Sequence, residues 1–306
     1  MIGTGRGGLS FEPSIAHGIA GLALAVLGWS LTWPINKVLL ASISPFWLSA
    51  FRAAIASVVL FSIAVASRRL VVPARHDMPM VVSIALLHMV GFSVLAAIGL
   101  SLVPVGRSVV LAYTTPLWVM PAAAIFLGER LTARRLVGVA LGLLGLMVLF
   151  NPFAFDWSDR SSIGGHAALL VAALFWASNI VHVRGHRWQA TPFQLVPWEM
   201  LLATAVLVVI AVLSGATLAI DWNAKIVVLL LASSILGQAL PQWAVVVAGR
   251  GLSAGTVSLG LLASPIIGIV VAAAALGEPL DLYVWLAVLM VIGGVALGTT
   301  ASSLRR

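Results

Sequence analysis

The chain has 306 residues, of which 61% are hydrophobic and 8% charged, where a soluble domain carries about a quarter charged. So few charges, with a mean hydropathy of +1.13, exclude a soluble globular fold and leave a polytopic membrane protein. The lack of cysteine excludes disulfides, thiolate metal sites and cysteine nucleophiles. The 17 basic residues outnumber 9 acidic ones but are scattered among short connections, without the stripe that nucleic-acid binding needs.

Apolar runs of spanning length fall at 18–40, 46–66, 79–100, 105–126, 132–150, 164–183, 193–213, 226–248, 254–276 and 282–299. A bilayer core takes about 20 residues per helix, and helices are the spanning structure such runs can form. The run from Gly18 is too long for a signal-peptide core and leads straight into further spans, so no cleaved leader is expected.

Basic residues in the connections set the orientation. One side receives Arg6, Arg68, Arg69, Arg75, Arg130, Arg134, Arg135, Arg184, Arg187, Arg250, Arg305 and Arg306; the other receives Lys37, Arg107, Arg160 and Lys225. Twelve against four predicts both termini in the cytoplasm of a bacterial inner membrane.

The two halves repeat. Phe126-Leu-Gly-Glu129 returns as Ala275-Leu-Gly-Glu278, 149 positions later, and the same offset pairs Gly106 with Gly255, Pro116 with Pro265 and Gly145 with Gly294. An offset of 147 pairs Gly18 with Gly165, Trp29 with Trp176, Pro45 with Pro192 and Phe46 with Phe193. Five spans is an odd number, so the second copy is inverted. The predicted fold is an all-α membrane protein of ten transmembrane helices in two inverted five-helix repeats, the architecture of many secondary transporters. Its parts are a tail (1–17), a first repeat (18–151), a linker (152–163), a second repeat (164–300) and a tail (301–306).

Two repeats, each with a proline in its fourth span followed by Leu-Gly-Glu and a glycine-rich fifth span, resemble the EamA family of the drug/metabolite transporter superfamily. The resemblance covers residues 18–300. It implies export of amino acids, aromatic ones included, by alternating access through a central cavity lined by helices 1, 3, 4, 6, 8 and 9.

Trp29, Thr32, Trp33 and Asn36 share one face of the first helix, and the repeat mates of Trp29 and Thr32 are Trp176 and Asn179. Rings with a few amides and hydroxyls suit a zwitterion of variable side chain; interfacial anchoring or packing is the competing reading. His88, Phe92 and Gly99 share a face of helix 3, and Gln238 and Gln242 a face of helix 8 beside Pro241. Such polar groups face the bundle interior, for packing or for a pore. Tyr113 with Pro116, Pro241, and Ser264 with Pro265 mark bends that either gate or simply pack. GxxxG spacings at Gly138/Gly142, Gly251/Gly255 and Gly294/Gly298 predict close helix contacts, within or between protomers.

Arg52 and Glu199 are repeat mates inside their spans. Inversion places them near opposite membrane faces, which argues against an ion pair and leaves snorkelling or local contacts. Smaller multidrug relatives carry a glutamate in the middle of the first helix, but Ala25–Trp33 holds no acid, so facilitated transport without proton coupling is expected.

Three motif matches are coincidental. Gly3-Thr-Gly-Arg-Gly-Gly8 lacks a preceding strand. Gly251-Leu-Ser-Ala-Gly255 lacks an α/β sheet and an acid–histidine pair. His182 and His186 sit at i,i+4 without a carboxylate nearby and beside two arginines, a poor metal site. No metal, cofactor or enzymatic activity is expected; the partners are amino-acid substrates and membrane lipids. A drug exporter is the nearest alternative. A lipid enzyme would need convergent ionisable groups, but Glu129 and Glu278 belong at opposite faces.

Overall fold

The computed structural model describes residues 15–129, 132–150, 157–184, 186, 188–252, 254–279 and 282–303. The Gly3–Gly8 motif, Ser253 of the second motif, Arg6, Arg130, Arg187, Arg305 and Arg306 lie outside the described residues. Ten helical segments follow in order: α1 (Ile15–Leu39), α2 (Pro45–Ala66), α3 (Met78–Leu102), α4 (Val105–Leu127), α5 (Ala133–Phe150), α6 (Arg160–Arg184), α7 (Pro192–Leu213), α8 (Ala224–Gly251), α9 (Ala254–Leu261 and Ala263–Leu276) and α10 (Leu282–Ser303). Among the described residues there is no strand. Seven of these helices (α1–α4 and α6–α8) are long and apolar enough to cross a membrane; α5, α9 and α10 complete the ten.

The repeats are legible in how the helices start and stop. α2 begins at Ser44-Pro45, where the Ser44 hydroxyl accepts the Trp47 N–H at 3.3 Å. Its mate α7 begins at Thr191-Pro192, where the Gln194 side-chain Oε1 accepts the Thr191 N–H at 2.9 Å. A side-chain oxygen at the cap and proline in the first turn satisfy or remove orphan donors. α4 and α9 end on Gly128 (φ 67°) and Gly277 (φ 68°). Any side chain there has space, but only glycine takes this left-handed backbone without strain. That is the physical content of Leu-Gly-Glu.

Each repeat is completed by the other. α1 packs against α8 and α9, and α6 against α3 and α4; α2 pairs with α7, and α5 with α10. The α1–α8 contact is backbone-close: a methyl on Gly28 would collide with the Leu236 carbonyl oxygen and with Pro241. Gly294 lies against the backbone of Gly138 and Gly142, so this GxxxG contact is made within the chain. The α2–α7 pair is tied at both ends by indoles. Trp47 Nε1 donates to the Ala216 carbonyl and Trp198 Nε1 to that of Val71, each at 2.9 Å.

Four helices depart from regular α geometry. α3 contains a nine-residue π-helix, Ile84–Phe92, and α8 a π-turn at Ile235–Ala239, in corresponding places of the two repeats. α4 breaks at Tyr113–Thr114 and α9 at Leu262. These are the third and fourth helices of each repeat. α1 and α6 pack against them.

Candidate functional site

A cavity of about 110 Å³ lies between the repeats. A buried water needs about 10–15 Å³ by the same measure, so the space suits a ligand of amino-acid size. From α1 come Trp29, Thr32, Trp33 and Asn36; from α3, His88 and Phe92; from α4, Tyr113; from α6, Trp176; from α8, Gln238 and Gln242. Ten of the eleven residues expected on the wall are brought together. Asn179 is the exception. It is buried with Oδ1 unpartnered and lies off this wall. On another side of α6, Ala177 and Val181 pack on Val119 of α4.

The rings are organised. His88 and Trp176 stack in parallel, offset planes, with centroids 5.2 Å apart and planes 1° from parallel, and Phe92 leans on Trp176 at 5.0 Å. The π-helix of α3 carries both His88 and Phe92, and that of α8 carries Gln238. Widened turns of this kind concentrate at functional sites because they redirect side chains and free backbone carbonyls. Around the rings, polar groups are already committed on one side. Ser233 Oγ donates to Asn36 Oδ1 at 2.6 Å, and Gln238 Nε2 points to Met200 Sδ at 3.3 Å. Thr32 Oγ1 is spent on the Gly28 carbonyl at 2.8 Å.

The three prolines sit at the helix irregularities. Pro116 opens the second half of α4, Pro241 follows the π-turn of α8, and Pro265 lies in the first turn after the break in α9. Tyr113 stands at the break in α4 and lines the cavity.

Sequence reasoning missed Arg52. It lines the cavity, and its Nε is buried without a hydrogen-bond partner. Among the described residues no acidic side chain lines the cavity. Glu199, 2% exposed and with Oε1 unpartnered, is not on its wall.

The two faces differ. At the arginine-rich face Glu129 accepts from Arg135 (2.9 Å) and Arg184 (3.2 Å). There too, Asp77 accepts from His186 (2.9 Å) and from the backbone N–H groups of Ala190 (2.8 Å) and Gln189 (3.2 Å). These bonds, that from His186 foremost, hold the Asp77 carboxyl below the usual carboxylate range. His76, Asp77 and His186 offer three ligand atoms close together. However, His76 stacks on His186 with planes only 25° from parallel, so the ring lone pairs do not converge on one ion. His182 turns away to Ser83 Oγ, at 2.7 Å. At the opposite face Glu278 accepts the N–H groups of Val105 (2.8 Å) and Gly106 (3.2 Å), and Lys37 Nζ donates to the Leu100 (2.7 Å) and Val103 (3.0 Å) carbonyls.

The sequence profile of the EamA-like transporter family matches residues 16–151 and again 163–300. The chain belongs to the EamA-like transporter family. This EamA protein is 25% identical to YoaV, an uncharacterized transporter of Bacillus subtilis, over 94% of this chain and 98% of the relative. It is 30% identical to a riboflavin transporter of Rhizobium johnstonii, covering 69% and 71%. It is 29% identical to a probable terminal-alkyne amino-acid exporter of Streptantibioticus cattleyicolor, covering 86% and 87%. A crystal structure shares the fold at TM-score 0.66 and 21% identity, over 94% of this chain and 99% of that one. The family and these relatives are transporters, not enzymes, and the EamA chain is a multi-pass membrane transporter of a small-molecule substrate.

Proposed function

We propose that this transporter exports amino acids, aromatic and other neutral ones, from the cytoplasm by alternating access, down their gradient. The observation that carries this reading is the cavity between the repeats. It combines the stacked His88–Trp176 pair and Phe92 with the amides Asn36, Gln238 and Gln242. Rings accept apolar side chains of different bulk, and amides orient a zwitterionic end. The volume is that of a small metabolite, and among the described residues the wall holds no carboxylate for a cationic drug. One relative is named a probable amino-acid exporter. Another is named a riboflavin transporter; a tricyclic flavin would require these walls to part.

Both termini lie in the cytoplasm in this reading, with Glu129 at the cytoplasmic face and Glu278 at the periplasmic one. The breaks in α4 and α9, with Pro116, Pro241 and Pro265 beside the irregular turns, are the hinges. The test is efflux from proteoliposomes loaded with a mixture of radiolabelled amino acids. Neutral aromatic and aliphatic amino acids are expected to escape faster than from protein-free vesicles. Equal escape of every amino acid from both would overturn the reading.

A further inference from the structure

We propose that Arg52 is the receptor for the carboxylate of the transported molecule, so that this protein selects monocarboxylates and rejects the matching amides and amines. The proposal deepens the amino-acid reading and rests on the same cavity being the substrate site.

A guanidinium stays protonated in a protein. Charged groups buried in a membrane are costly and occur where a partner or a water-filled path compensates them. Arg52 has neither an acid nor a hydrogen bond at Nε, and none of the ion pairs among the described residues includes it. Glu199 is its repeat mate, but α2 and α7 start at opposite faces, so the two groups sit at different depths. Glu199 is also absent from the cavity wall. Among the described residues no side chain supplies a counter-charge, and the Arg52 side chain lies on a cavity wall. A carboxylate entering the cavity would supply it, and the planar fork of a guanidinium matches a carboxylate's two oxygens.

The neighbouring amides fit the same polarity. Asn36 uses Oδ1 to accept from Ser233, so its NH₂ group is left to donate to a carboxylate. Gln238 commits Nε2 to Met200, so its Oε1 is left to accept from an ammonium. The faces of Trp29, Trp33 and Trp176 also attract an ammonium. A single guanidinium balances one negative charge, so a monocarboxylate fits better than a phosphate dianion.

The experiment measures inhibition of phenylalanine efflux, and thermal stabilisation of the detergent-solubilised protein, by three compounds. These are phenylalanine, phenylalaninamide (ammonium and ring without carboxylate) and 3-phenylpropionate (carboxylate and ring without ammonium). Phenylalanine and 3-phenylpropionate are expected to act on the wild type at concentrations about 10- to 100-fold below the amide, the range of a hydrogen bond to a charged group. Arg52→Gln should abolish that preference, and Arg52→Lys should keep part of it. Wild-type protein that takes the amide as well as the acid overturns the proposal without any variant. So does an Arg52→Gln protein that stays folded and keeps the acid-over-amide ratio; the amino-acid reading survives that result. If 3-phenylpropionate stabilises the wild type but not Arg52→Gln while no amino acid is transported, the carboxylate site stands and the amino-acid reading falls.

Discussion

Glu129 and Glu278 hold the same place in the two repeats and bind different partners. Glu278 closes onto the start of α4 through the N–H groups of Val105 and Gly106, whereas Glu129 bonds to Arg135 and Arg184. The helix packing shows the same asymmetry. The first half of α4 packs against the second half of α9, while among the described residues the second half of α4 and the first half of α9 share no comparable packing. α4 and α9 are therefore closed together at the Glu278 face and apart at the Glu129 face.

That asymmetry gives a test of gating. A carboxylate on two orphan N–H groups at a helix start is charge-assisted and favoured by the helix dipole. Glu278→Gln removes the charge and is expected to shift the closed–open balance at that face by about tenfold, the range of a charged hydrogen bond. The protein has no cysteine, so Ser93→Cys, on the cavity wall, is a single reporter. Its labelling by an impermeant maleimide from the Glu278 side should rise several-fold in the Glu278→Gln background. Unchanged labelling would mean that the cap does not hold the gate.

Much of this was legible in the sequence. The Pro45/Pro192 pair, the recurring Leu-Gly-Glu around Gly128 and Gly277, and the inverted repeat were visible because each is written in offset matches; the Ser44 and Thr191 caps that go with those prolines were not read. The π-helix of α3 was not, since one widened turn in a uniformly apolar span leaves no mark on the pattern. Nor was the role of Arg52. Seven residues into a span, a long basic side chain can reach the interface or an inner cavity, and only the packing of α2 decides between them. Asn179, three residues after Trp176 on the same helix, is buried off the cavity wall, which spacing along α6 alone did not reveal.

Orientation is tested directly. A reporter that matures only in the periplasm, fused after Arg306, is expected to stay inactive, because the basic residues are concentrated on the side of both termini. Strong activity would invert every inside–outside assignment made under the proposed function.

Trp29 and Trp176 face the same cavity from repeat-related positions. Replacing either by alanine removes apolar contact with a large side chain. A loss of about 50 Å² at about 25 cal/mol per Å² is roughly a tenfold weakening. Efflux of tryptophan and phenylalanine should fall by that order while alanine efflux changes little. Trp176→Ala should have the wider effect, since it also unstacks His88. Normal transport by both variants at normal expression would place the substrate elsewhere.

Asp77 fastens the α2–α3 connection to the segment before α7. Its folded-state pKa is depressed by the bonds from His186, Ala190 and Gln189. A depressed carboxylate contributes stability above its unfolded pKa, about 3.9, and loses it as pH falls through the lower folded value. Asp77→Asn should therefore lower the melting temperature from pH 8 to pH 5, and the gap to wild type should close below about pH 4. A gap that instead persists or widens below about pH 4 would assign the stabilisation to another group.

Transport is expected to run down the amino-acid gradient without obligatory proton coupling. An antiporter needs a group that exchanges a proton for substrate within the cavity, in practice a membrane-embedded carboxylate. The first helix has none from Ala25 to Trp33, and the one acid inside a span, Glu199, is off the cavity wall. His88 is the titratable ring lining the cavity, but it stacks on Trp176 and meets Phe92 at a tilt in a three-ring cluster, an arrangement that serves an apolar surface better than a proton relay. In proteoliposomes an imposed pH gradient should leave a neutral amino acid at equal concentration on both sides. Glu199→Gln and His88→Gln should both keep downhill flux, the second with weaker binding of aromatic substrates because one ring of the stack is lost. Uphill accumulation that either substitution abolishes would establish coupling and identify its carrier.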